Sequence, residues 1–410
     1  MKMRVILFIL FLPLVMEITD LSAQNNKERP CIECHKKVTP NIVDLFASGK
    51  MGKIGLDCSA CHGKGHVKGN EDVGLVEFPT LNTCKTCHPA QTEQYINSKH
   101  ALAWEAMKAM PLFDNQLEVI IGQGQTGCSM CHKIGLATDA ERTEDSYRDC
   151  TSCHSMHAFS KDEASHPRIC QSCHTGLHHN QWEMWSNSRH GVLWQIYSGK
   201  TNRAPTCQTC HMPEGNHRVM TAWGFLAIRI PEDDKEWLDD RNTILQALGF
   251  MDDKGGFTER FQLIQKVKMA RLNKEDFDRQ RQRMLEVCSQ CHNASFSEDT
   301  LKASDQVIRQ ADKLMAEAIR VIQALYKDGI LKRPKSLKSA PDFLHFYEAK
   351  TPVELTLYKM FFDYRMHTIQ GSFHLNSNAM QWQGWAPMKE ALNRIKNEAI
   401  RLRAEQRLRL

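Results

Sequence analysis

Cys150-Thr151-Ser152-Cys153-His154-Ser155-Met156-His157, followed thirteen residues on by Cys170-Gln171-Ser172-Cys173-His174, holds the pattern that decides this chain. Two cysteines three apart with a histidine directly after them form the attachment signature of c-type haem: the thiols add to the porphyrin vinyl groups and the imidazole ligates iron. The same pentapeptide recurs at Cys31, Cys34 and His35; Cys58, Cys61 and His62; Cys84, Cys87 and His88; Cys128, Cys131 and His132; Cys207, Cys210 and His211; and Cys288, Cys291 and His292. Eight motifs absorb all 16 cysteines, so no thiol is left for a disulfide or a separate zinc site. Redox dithiols and zinc half-sites do not require the terminal histidine, which occurs here every time. The cofactor expectation is eight covalently bound haem c groups.

Met1-Lys2-Met3-Arg4 and the apolar run from Val5 to Met16 read as an export signal spanning residues 1–23. About twelve apolar residues fall short of the roughly 20 that cross a bilayer, and no later stretch is long enough, so no transmembrane span is expected. The destination is a periplasm or an equivalent extracytoplasmic compartment. A net charge of +5, from 53 basic and 48 acidic residues, creates no field that singles out nucleic acid.

The first seven motifs crowd into a haem-dense part, residues 24–220, punctuated by glycine and proline. Residues 221–410 carry the eighth motif and long stretches of helical spacing. Helix starts are read at Pro231-Glu232-Asp233-Asp234, at Ser297-Glu298-Asp299, at Thr351-Pro352-Val353-Glu354 and at Pro387. The fold class expected is mainly α, a multihaem cytochrome c fold with a haem-dense N-terminal part and a C-terminal bundle of long helices. The apolar stripes of that bundle read first as packing surfaces.

Nineteen histidines less the eight of the motifs leave eleven. An iron that only carries electrons takes a second protein ligand, and eleven could serve every iron, so the count alone does not reveal an open one. His66, His157 and His217 follow their motifs closely, and His100 and His190 share the contexts Asn97-Ser98-Lys99-His100 and Asn187-Ser188-Arg189-His190. These five read as sixth ligands. His166, before Pro167, reads as solvated, and Met212 as packing.

The run from Cys150 through Cys170 to His178-His179-Asn180-Gln181-Trp182-Glu183-Met184-Trp185 and His190-Gly191 resembles the octahaem hydroxylamine oxidoreductase family. So does the ending around Phe373-His374-Leu375-Asn376 and Gly384-Trp385-Ala386-Pro387-Met388. The resemblance implies that the haem on Cys128, Cys131 and His132 is catalytic and lacks a sixth protein ligand, the others being bis-histidine. It makes His374 a sixth ligand and leaves the remaining one among His345, His367 and His166, with His345 and His367 preferred. An Asp-His pair of the family, overhanging the open iron, corresponds here to His178-His179, both candidate catalytic residues. His178 as a sixth ligand is the alternative. Oxidative members carry a tyrosine shortly before the Gly-Trp that bonds to the porphyrin of a neighbouring subunit; this chain has Asn378-Ala379-Met380-Gln381-Trp382-Gln383 there, and its last tyrosine is Tyr364. The implied haem is therefore not cross-linked, which favours reduction of nitrite, nitric oxide or hydroxylamine over hydroxylamine oxidation. The alternatives are that oxidation without the cross-link, or a non-catalytic conduit with every iron six-coordinate. Implied partners are a small nitrogen-oxide substrate, a small c-type cytochrome, which could sit in a stable hetero-oligomer, and further copies of the chain in a homotrimer or a multiple of it.

Overall fold

The computed structural model describes residues 30–108, 117, 127–135, 149–176, 179–197, 203–221, 229–266, 273–333 and 341–409. The expected export signal lies outside these residues.

Each motif folds as one helical turn for a local reason. The histidine amide donates to the carbonyl of the first cysteine, at 3.0 Å in His62 to Cys58, 3.0 Å in His132 to Cys128, 2.9 Å in His174 to Cys170 and 2.9 Å in His292 to Cys288. In such a turn positions i, i+3 and i+4 share one face, so both sulfurs and the imidazole present the same side.

The chain divides into two compact units, one ending at Glu77 and the other beginning at Phe78. The first contains helix α1 (Pro30–Val38), which holds the first motif, and α2 (Pro40–Ser48), which packs on it. The second holds the rest, including α3 (Gln181–Ser186), α4 (Arg189–Ile196), α5 (Lys235–Ala247), α6 (Glu259–Lys266), α7 (Lys274–Cys288), α8 (Ala294–Lys327), α9 (Pro352–Lys359), α10 (Arg365–Phe373) and α11 (Ala386–Arg409). This division differs from a boundary near residue 220, because α3 packs against α10 and the Asn376 side-chain amide donates to the Met184 carbonyl at 3.1 Å. The haem-dense segment after residue 77 is thus built onto the C-terminal helices. Among the described residues the only β feature is an isolated bridge between Met251 and Phe257.

The bundle forms as its sequence dictates. Asp234 caps α5 by accepting from the Trp237 amide at 3.1 Å, and Thr351 and Glu354 close a capping box on α9. Helix α8 starts at Ala294, three residues ahead of the acidic start read at Ser297, because Asn293 accepts from the Phe296 amide at 2.8 Å. The eighth motif is thereby joined directly to a helix of 34 residues. Ile308, Ala311, Met315, Ala318, Ile319, Ile322 and Leu325 line its buried stripe, which packs on α5, α10 and α11. Full burial of each large aliphatic side chain contributes about 1.5–3 kcal/mol. Two π-helical segments, Met360–Tyr364 and Ala379–Trp385, interrupt the last helices. The second lies so close to α10 that a Cβ on Gly384 would stand 2.5 Å from the Thr368 amide nitrogen.

One carboxylate ties three of these helices together. Asp312 on α8 is fully buried and accepts from Trp237 Nε1 at 2.8 Å, from Arg365 Nε at 3.2 Å and Nη2 at 2.9 Å, and from Arg241. Burial pushes the Arg241 guanidinium down to about 10 even with Asp312 beside it. Replacing Asp312 by Asn leaves two buried guanidinium groups without their carboxylate, at a cost of about 3–5 kcal/mol. We expect thermal unfolding of the Asp312→Asn protein, followed by circular dichroism, to fall by roughly ten degrees. A midpoint equal to the wild type would show the network to be energetically idle.

Candidate haem and catalytic site

Histidine rings facing each other across an iron-sized gap are the signature of this site. Two metal–nitrogen bonds of about 2.0 Å, each extended by about 1.1 Å from nitrogen to ring centre, place paired imidazole centroids roughly 6.2 Å apart. In the first unit His35 and His66 stand 6.3 Å apart. In the second the pairs are His132 and His179 at 5.9 Å, His174 and His100 at 6.0 Å, His154 and His217 at 6.2 Å, His211 and His374 at 6.4 Å, and His292 and His190 at 6.1 Å. Motifs one, four, five, six, seven and eight thus each find a facing ring. The residues fit haem iron in donor type, donor count and separation.

Outer hydrogen bonds orient these rings by occupying Nδ1 and leaving Nε2 for a metal. His211 Nδ1 lies 2.8 Å from the Met220 carbonyl oxygen, His374 Nδ1 2.9 Å from that of Gln370, and His62 Nδ1 3.1 Å from that of Glu77. His35 uses the Thr39 hydroxyl at 2.7 Å, His174 the Gln181 carboxamide oxygen at 3.3 Å, and His66 the Asp72 carboxylate at 2.9 Å. His132 is anchored through the Ala103 carbonyl. That anchor needs close approach at Gly135, where a Cβ would stand 2.6 Å from the Trp104 amide nitrogen. The Tyr95 hydroxyl donates to the Ile134 carbonyl in the same strip.

Burial keeps the imidazoles neutral, the form that binds metal. It pushes His100 and His374 down to about 4, with the neighbouring His174 and His211 adding to the effect. His132, His154, His174, His190, His211 and His217 are lowered for the same leading reason.

Contacts between the cysteines give the order of the motifs in space. Cys84 touches Cys150, Cys131 touches Cys173, and Cys170 touches Cys207. Cys153 lies near Cys170 and Cys173, and Cys210 near Cys288 and Cys291. Among the described residues these contacts run from motif three through five, six and seven to eight, with motif four attached at six.

The fourth motif faces a short segment that also contacts the sixth. Across from His132 stands His179, whose ring is also 6.5 Å from that of His174. Next to it Asn180 is 2 % exposed, and neither atom of its carboxamide has a hydrogen-bond partner; Glu183 Oε2 is likewise buried and unpartnered. The other Glu183 oxygen accepts from the Thr175 hydroxyl and from the Gly176 amide at 3.3 Å. His178 lies outside the described residues. At 5.9 Å the gap between His132 and His179 takes an iron and two bonds, with no space on that axis for a further molecule.

The other candidates fall elsewhere. His157 has its ring 6.4 Å from that of Phe159. His345 is buried in the C-terminal bundle with Nε2 3.8 Å from Asp342 Oδ2. His166 is exposed, edge-on to Trp194 at 5.1 Å. Tyr364 packs against its own bundle core, while Trp382, in the segment before Gly384-Trp385, is 68 % exposed. Asn180, Glu183 and Asp72 are not legible as site residues in the sequence, since a lone amide or carboxylate near a motif carries no spacing signal.

The chain matches the family described as seven times multi-haem cytochrome CxxCH over residues 27–247 and 258–338. It belongs to that family, whose haem c is covalently bound. It is similar to a probable nitrite reductase-hydroxylamine oxidoreductase fusion protein of Kuenenia stuttgartiensis, 26 % identical in an alignment 368 positions long that covers 75 % of this chain and 39 % of that protein. It also resembles the multiheme cytochrome MtrA of Shewanella baltica, 26 % identical in an alignment 206 positions long that covers 44 % of this chain and 51 % of that one. The chain thus spans about half or less of the length of these relatives. Its fold is that of a chain in the Kuenenia stuttgartiensis reducing HAO-like protein complex, with a TM-score of 0.70 at 22 % identity over 92 % of this chain and 86 % of that one. The expected mainly α multihaem cytochrome fold is therefore the one observed. Among the described residues no helix is long and apolar enough to cross a membrane.

His367, the remaining candidate, has Nδ1 3.0 Å from both the carbonyl and the Oδ1 oxygen of Asp363. Burial works to lower its pKa, but Asp363, with Glu183 adding, outweighs it and holds the group above its ordinary value. A folded-state pKa raised in this way supplies stability that is complete below the unfolded value of about 6.5 and is lost as pH rises through the folded one. The melting temperature of His367→Gln should therefore trail the wild type at pH 6 and approach it at pH 9. A gap that does not change with pH would refute the ion pair.

Proposed function

We propose that this chain is an oxidoreductase that reduces nitrite, or another small nitrogen oxide such as nitric oxide or hydroxylamine, at the haem on Cys128, Cys131 and His132. The observation carrying this reading is His179, which faces His132 at 5.9 Å and is followed directly by the buried Asn180, whose carboxamide has no hydrogen-bond partner. When bound, the haem would supply electrons and a coordination position for the substrate nitrogen. Each oxygen leaving as water takes up two protons, and histidine is the side chain suited to deliver them near neutral pH. His179 is that donor, with His178 beside it in sequence. His132 and His179 are the two residues that would hold this haem, and the reading requires that His179 could give way to a small molecule. His132, held by Ala103, fixes the opposite side.

Three further points support reduction. No tyrosine follows Tyr364, so a phenol bridge near Gly384-Trp385 has no donor, and an unmodified porphyrin keeps an iron that gives up electrons readily. One relative is named in part as a nitrite reductase, and the complex that holds the similar fold is described as reducing. The remaining seven motifs, of eight in all, would hold the haems that relay electrons from a small c-type cytochrome. That cytochrome fits a stable hetero-oligomer, with copies of this chain forming a trimer or a multiple of it, in an extracytoplasmic compartment.

The 5.9 Å spacing favours a second reading, a six-coordinate conduit without catalysis. Nitric oxide added to the fully reduced protein separates the two: binding at one haem per chain is expected, and no binding leaves the conduit. Nitrite reduction with a viologen donor should exceed hydroxylamine oxidation with a cytochrome acceptor, and the reverse order would make the enzyme an oxidase. His179→Ala should lower nitrite turnover about 100-fold while a high-spin ferric signal appears. Unchanged turnover would remove His179 from the chemistry.

A further inference from the structure

One ring of the first motif's pair has a carboxylate as its outer partner. His35, His174, His211 and His374 have Nδ1 against a hydroxyl, a carboxamide or a backbone carbonyl, all neutral. His66, 6.3 Å from His35, has Nδ1 2.9 Å from Asp72 Oδ1. The carboxylate is well set: its second oxygen accepts from the Val67 amide at 2.7 Å and the Lys68 amide at 2.6 Å, and its side chain is 10 % exposed. One residue thus closes the loop from His66 to Asp72 and fixes the ring from behind.

We propose that Asp72 is a positioning residue that makes the first haem a low-potential member of the chain's redox series. A carboxylate accepting from Nδ1–H pulls the proton away from the ring and raises the basicity of Nε2. A more basic axial nitrogen and a nearby negative charge both favour ferric over ferrous iron, so the midpoint falls relative to a pair with neutral partners. Burial sharpens the contrast, since a charge screened by little water acts more strongly. Electrons held at this haem are therefore more reducing than those at haems with neutral outer partners. This suits a port that accepts them from a low-potential donor and passes them on downhill. The inference rests on haem attachment and on the His35 and His66 pair, and is independent of what the fourth motif catalyses.

The test uses the haem-loaded protein, its haem content checked by pyridine haemochrome, with a potentiometric titration followed by optical and electron paramagnetic resonance spectra. Asp72→Asn keeps an acceptor for the two backbone amides and removes the charge. One low-spin haem should move to higher potential by about 59 mV, the equivalent of a tenfold change in its redox equilibrium, with the other midpoints unmoved. Asp72→Glu restores the carboxylate and should return that haem toward the wild-type midpoint. Unchanged midpoints in the Asn protein would overturn the proposal. So would a Glu protein displaced as far as the Asn one, because the shift would then come from the loop and not from the charge. Nitrite turnover driven by excess viologen reports on the fourth motif separately.

Discussion

Two imidazoles about 6 Å apart, with nothing of their own between them, are the constraint on which the rest of this molecule depends. The separation matches what an iron with two nitrogen bonds would need. Six such gaps recur, while the segments that frame them are helices of a few residues joined by loops. Helices this short are not stable alone, so their order comes from what they bind. The C-terminal bundle works differently: its long helices bury aliphatic side chains against each other and need no prosthetic group to pair their surfaces.

Burial of these histidines serves chemistry and stability together. Taking an imidazole out of water disfavours its charged form, and the neutral form is the one that binds metal. The same burial makes an unpaired Nδ1 costly, which explains why ring after ring donates to a hydroxyl, carboxamide or carbonyl. The bundle meets the opposite requirement with Asp312, where charge is kept inside and surrounded by Trp237, Arg241 and Arg365. Such a cluster is specific in geometry and weak as a source of net stability, so the bundle holds together mainly through the apolar stripe of α8.

Motif identity, the sixth-ligand roles suggested for several histidines and most helix starts are legible because each has a local signal. Cys-x-x-Cys-His is a five-residue statement, and Thr351-Pro352-Val353-Glu354 is a capping box with proline at the first position. The start of α8 reads three residues late in the sequence because Asn293 follows directly on His292 and looks like part of the motif. The partners of His132 and His66 are harder. Resemblance puts His179 over the fourth motif, but its distance from His132 is a three-dimensional quantity. Asp72 lies six residues from His66 behind one short 3₁₀ turn, a separation with no periodic meaning. His345 looks available by count alone and instead lies among bundle residues beside Asp342.

Conduction and catalysis on this fold differ by a single axial bond. A haem with two tied imidazoles exchanges electrons and nothing else, whereas one whose sixth ligand can leave can bind a small molecule. What decides between them is the free energy needed to move that ligand, set against the differential affinity of the incoming group. At the fourth motif the chain after His179 is held firmly: Gln181 contacts His174, the Trp182 amide donates to the His174 carbonyl at 3.0 Å, and Asn376 bonds back to Met184. The freedom left to His179 is therefore rotation of its own ring, which costs far less than moving a helix. Under the proposed reading that rotation is what would distinguish an exchangeable ligand from a tied one.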